Sequence, residues 1–86
     1  MTFDELQFNP HRLGEGEQAM HTFANGYGVS VIITPFSYGG LEGKYELAVI
    51  KNKALCYSTS ITNDVIGHLT SLEVTELLIR VEALLA

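Results

Sequence analysis

The chain has 86 residues with 47% hydrophobic side chains, which suits one small domain and excludes both a disordered chain and a second core. Five Lys and Arg against ten Asp and Glu give a formal net charge of −5, and the cations Arg12, Lys44, Lys51, Lys53 and Arg80 are scattered. That pattern argues against a tight grip on a nucleic-acid backbone, which needs several cations on one face, and leaves ordinary solubility or a basic partner as the meaning of the acidic balance.

In chain order, residues 1–18 form an irregular arm. Phe3, Leu6 and Phe8 are its apolar anchors, and Pro10, Gly14 and Gly16 interrupt any period. Thr2 and Glu5 have capping-box spacing, so a short helical turn is expected, ending before Pro10. No basic stretch followed by an apolar run marks a signal peptide, and the longest apolar runs are far too short to span a bilayer. No membrane association is expected.

Residues 19–24 alternate weakly and lead into Asn25-Gly26, a dipeptide expected to form a two-residue type I′ turn. Beyond it, Tyr27, Val29, Val31 and Ile33 share one face of a strand that Pro35 closes. The stretch from Phe36 to Gly43 is rich in glycine and reads as a mobile loop. A third strand follows from Lys44 to Lys51, then a turn at residues 51–53 and a fourth strand at 54–59. Residues 62–67 read as one helical turn, capped by Thr62 and broken at Gly67. Thr70 and Glu73 then form a capping box that opens a helix from Ser71 to Leu85. Its stripe of Val74, Leu77, Leu78, Val81, Leu84 and Leu85 is the expected core face. Leu72, Ile79 and Ala83 lie off that stripe and are expected to meet either the arm or a second copy. The fold class is therefore α+β: a four-stranded antiparallel meander with the C-terminal helix on one face.

The chemistry-bearing residues do not converge. His11, His21 and His68 lack metal-ligand spacing, and the single Cys56 has no cysteine partner and reads as a small strand residue. Gly43-Lys44 departs from the phosphate-loop pattern at Tyr38 and Tyr45 and leads into a strand instead of a helix. No carboxylate pair can be nominated as a general acid and base. Neither a catalytic site nor a cofactor is expected. Tyr27, Tyr38, Tyr45 and Tyr57 could stack on bases, but the loop around Tyr38 is flanked by Glu42 and Glu46, so direct nucleic-acid binding is not expected. Phe36, Tyr38 and Leu41 on that loop, with Glu42 and Glu46 as a negative rim, have the composition of a protein-binding surface.

The strings FANGYGVSVI, SYGGLEGKYELAVI and YSTSITNDVIGHL, together about half of the chain, resemble a family of small accessory proteins encoded by tailed bacteriophages and prophages. The resemblance implies a bacterial host cytoplasm as the setting and brings no catalytic motif. Such proteins often bind and block a host enzyme or a host defence complex of the CRISPR type. The expectation is a non-enzymatic inhibitor of a host protein, the alternative being a virion assembly protein acting through self-association.

Overall fold

The computed structural model describes residues 1–11, 14–52, 54–55 and 65–85. It is an α+β fold in which one helix and the N-terminal arm cover one face of an antiparallel sheet. The strands are β1 (Asn9–Pro10), β2 (Glu17–Thr22), β3 (Tyr27–Ile33), β4 (Tyr45–Lys51), β5 (Ala54–Leu55) and β6 (Ile66–Leu69), followed by α1 (Ser71–Glu82). The first five lie side by side in chain order, and β6 pairs with β4.

The expected meander of β2, β3, β4 and β5 is present, but among the described residues the sheet has six strands instead of four. The two additions come from segments read as non-strand. β1 is contributed by the arm, and Pro10 is tolerated there for a specific reason. Asn9 faces Gln18, and the His11 amide donates to the Gly16 carbonyl at 2.9 Å, so Pro10 occupies the intervening position, which needs no amide donor. β6 replaces the C-terminal part of the expected turn at 62–67. Residues 62–64 lie outside the described residues, but Ile66 and Gly67 are in a strand. The left-handed residue is not Gly67 but His68, with φ of 57°. Tyr45 pairs with Leu69 and Leu47 with Ile66, so Gly67 and His68 together face one residue of β4 in a bulge. β5 occupies the other end of the same β4 edge, opposite Ile50 and Lys51. The expected fourth strand is thus seen only at Ala54–Leu55, and its remainder, with Cys56 and Tyr57, lies outside the described residues.

Alternation in the two central strands divides the sheet into its faces. Val29, Val31, Leu47 and Val49 point toward α1, where Val74, Leu77, Leu78 and Val81 meet them, and all eight are buried. Leu6, Ala19, Phe23 and Leu69 complete this core. The arm lies on the same side. Its Phe3–Glu5 turn closes with the expected capping box, the Phe3 amide donates to Thr75 Oγ1 at 2.9 Å, and the rings of Phe3 and Phe8 pack on Tyr45.

The helix stops at Glu82, three residues before the expected end, and Leu85 is 90% exposed instead of buried. The reason lies in the β2–β3 connection. Asn25 and Gly26 do not form a type I′ turn, since Gly26 is left-handed at φ 87° but Asn25 is not. The Gly26 amide donates to the Phe23 carbonyl at 3.1 Å and the Phe23 amide to the Tyr27 carbonyl at 2.7 Å, which makes a three-residue loop with a left-handed glycine. This geometry turns the Asn25 carboxamide toward the helix, where Nδ2 donates to the carbonyls of Val81, Glu82 and Leu84 at 3.0, 3.1 and 2.9 Å. A side chain from the hairpin thereby caps the helix end, adding to the Leu84 amide that the Val81 carbonyl already accepts and serving the Glu82 and Leu84 carbonyls.

Candidate functional site

The loop joining β3 to β4 is built on Thr34, whose side chain is buried although polar. Thr34 Oγ1 accepts from the amides of Phe36 and Ser37 at 3.1 and 3.0 Å, while Ser37 Oγ donates to the Thr34 carbonyl at 3.0 Å. The chain then enters a short 3-10 turn, Gly40–Glu42, bounded by left-handed Gly39 and Gly43. The Lys44 amide returns to the Gly39 carbonyl at 2.9 Å. A loop expected to be mobile from its glycines is therefore hydrogen-bonded at nearly every step.

Those glycines serve close approach. A Cβ on Gly40 would collide with the Thr34 carbonyl oxygen, and one on Gly67 with Tyr38 Cβ. A Cβ on Gly39 would come within 2.9 Å of His68 Cα. The contact between the loop and β6 is sealed by the His68 amide, which donates to the Tyr38 carbonyl at 3.1 Å. Tyr38 is also held from the other side, because its own amide donates to Glu46 Oε1 at 3.0 Å. The loop thus lies along β6 and takes up part of its outer edge.

Locking the backbone leaves the large side chains outside. Phe36 is 86% exposed, Tyr38 62% and Leu41 84%. All three residues expected to form the contact surface are therefore exposed side chains of one hydrogen-bonded loop. The two carboxylates expected as its rim have different circumstances. Glu46 is half-buried and uses one oxygen to hold the Tyr38 amide, whereas Glu42 is exposed with Oε1 3.3 Å from His68 Nδ1. Beside Phe36 lies an apolar hollow of about 250 Å³, lined by His11, Glu15, Ile32, Thr34, Ser37 and Glu46 as well. Sequence reasoning missed this hollow, since it joins the arm hairpin to the far face of β3 and β4.

The second expected surface is also exposed. Leu72 is 67% and Ile79 54% accessible, and Ala83 is exposed. The arm does not cover them. It meets α1 along Thr75 and Glu82, the latter 3.4 Å from the Met1 ammonium, and only Leu72 borders it, across a shallow cleft with Thr2, Phe3 and Asp4.

Among the described residues no group of three or more His, Cys, Asp or Glu is placed to hold a metal ion. Among the described residues no helix is long and apolar enough to cross a membrane. Comparison with protein-family models, with curated proteins and with solved structures found no match.

Proposed function

We propose that this protein is a non-enzymatic protein-binding module that presents Phe36, Tyr38 and Leu41 to a partner protein. The observation that carries the reading is the pairing of three exposed large apolar side chains with a backbone held rigid beneath them. Exposed apolar groups on an isolated loop normally cost ordering entropy when they bind. Here the backbone is already ordered, so more of the contact energy remains for affinity. Aromatic anchors of this kind dominate many interfaces. Glu42 and the free oxygen of Glu46 favour a basic partner, mostly through the rate of encounter.

The resemblance to phage accessory proteins supports a more specific version, in which the partner is a host protein or defence complex met in the bacterial cytoplasm and inhibited by binding. The exposed Leu72, Ile79 and Ala83 favour the alternative, virion assembly through self-association, and a homodimer would use that surface.

The test is capture of a partner from host lysate, followed by affinity measurement with Tyr38→Ala and Glu42→Lys variants of unchanged thermal stability. Tyr38→Ala is expected to weaken binding by more than about 1 kcal/mol, and Glu42→Lys to reduce the salt dependence of the association rate. If both variants bind as the parent does, the loop is not the contact surface.

A further inference from the structure

We propose that the outer edge of β2 at Met20 and Thr22 is a second binding surface, which takes an extended segment of a partner polypeptide as an added strand. The inference is independent of the loop described above and rests on the direction of backbone groups. The Phe23 amide bonds to the Tyr27 carbonyl, so Phe23 and Tyr27 form a hydrogen-bonded pair. Such pairs alternate along an antiparallel ladder, so His21 with Val29, and Ala19 with Val31, also bond to each other. Met20 and Thr22 therefore turn their amides and carbonyls away from β3. Gln18 is the next residue in this outward series, and it is the one that pairs with Asn9 of β1.

β1 ends there. Continued backward along the same track, the arm would place Gln7 opposite Met20, but its chain leaves the edge so that Leu6 enters the core at 9% exposure. A groove of about 370 Å³ opens in its place, with Met1, Glu5, Leu6 and Gln7 on one side and Met20 and His21 on the other. Among the described residues nothing bonds to the outward groups of Met20 and Thr22. An unpaired edge is a template for another strand.

The walls select the occupant. A second copy would bring a whole sheet edge and would have to displace the arm, whose Leu6 is buried and whose Phe3 is bonded to Thr75. A single extended segment needs only the width of one strand beside β2, and the groove between the arm and the edge is where it would lie. Glu5 beside the groove and Glu17 near the end of β1 disfavour acidic residues in that segment.

The probe is a displayed library of short random peptides, selected on the full chain. Peptides recovered are expected to shift the Met20 and Thr22 amide resonances and slow their hydrogen exchange, while the His21 amide, already in the ladder, changes little. Met20→Pro removes an outward donor and leaves the bonds to β3 intact, so it should raise the Kd at least about tenfold with an unchanged circular dichroism spectrum. N-methylation of a bound peptide, residue by residue, should weaken binding at alternate positions. That scan also decides the matter if Met20→Pro fails to fold. Peptides that bind Met20→Pro as well as the parent, peptides that tolerate methylation at every position, or a selection that returns no peptide would overturn the proposal. So would a concentration-dependent dimer dissolved by Met20→Pro, which would give the edge to a second copy.

Discussion

Glu73 shows how one side chain sets both the start of a helix and its response to acid. Its Oε1 accepts from the Thr70 amide at 3.0 Å, and its own amide donates to Thr70 Oγ1 at 3.2 Å. The Thr70 amide, and after it the Thr70 hydroxyl, hold the Glu73 carboxyl below its ordinary pKa. In Glu5 the amide of Thr2 does the same. A carboxyl whose pKa is depressed by folding contributes stability above its unfolded pKa, about 4.3, and that contribution is lost as pH falls through the folded value. The thermal midpoint should therefore drop as pH is lowered from about 5, and Glu73→Gln, which keeps an acceptor but does not titrate, should show a shallower acid-side fall. An identical acid limb in the two proteins would mean that the box does not respond to protonation. Both capping boxes were legible in the sequence, because each depends on two residues three apart. His68 was not. Its left-handed backbone follows from the bulge against β4, and nothing local distinguishes a glycine-histidine bulge from a glycine that ends a helical turn.

At the scale of elements, periodicity identified α1 correctly where the helix meets the sheet and failed where it leaves it. Val74, Leu77, Leu78 and Val81 are buried at positions set by the helical repeat alone. Leu84, beyond the helix end, still packs on the core as the repeat requires, but Asn25 takes the last carbonyls, the chain departs from the helix and Leu85 is left exposed, a tertiary effect that no window of sequence contains. The distinction is measurable. Leu78→Ala should cost about 2 to 5 kcal/mol in chemical denaturation, because its side chain is fully enclosed and leaves a cavity. Leu85→Ala should change stability by less than about 0.5 kcal/mol. Equal effects would contradict the assignment of the core face. β2, β3 and β4 were legible from alternation bounded by turn residues. β1 was not, since two residues are too few to show a period and one of them is proline.

For the whole molecule, the layers divide the possible contacts. The helix and arm close one face of the sheet and the loop blunts the β6 edge, while among the described residues the loop tip, the β2 edge at Met20 and the outer strip of α1 are left exposed. Leu41 and Phe36 were legible as exposed residues because large apolar side chains in a glycine-rich loop have little to bury them. The rigidity beneath them was not, because it comes from Glu46 and β6, distant in the sequence. If the outer strip joins two copies, light scattering at rising concentration will show a dimer, and Ile79→Glu will dissolve it without loss of thermal stability, since Ile79 is 54% exposed. A parent protein that stays monomeric removes self-association as the role of that strip.

The hairpin loop at Asn25-Gly26 also bears on how the chain ages. In an unfolded chain the Gly26 nitrogen attacks the Asn25 side-chain carbonyl carbon, expels ammonia and closes a succinimide, which water opens to aspartate or isoaspartate. Folding opposes this reaction at both ends. The Gly26 nitrogen donates to Phe23, and the Asn25 carboxamide is fixed by three carbonyls of the helix end and by the Tyr27 amide, which donates to Oδ1 at 3.0 Å. Once the amide is lost, a carboxylate faces those three carbonyls, with no donor for any of them and repulsion in its place. The damage is therefore made mainly in molecules that have opened, and it hinders them from closing again.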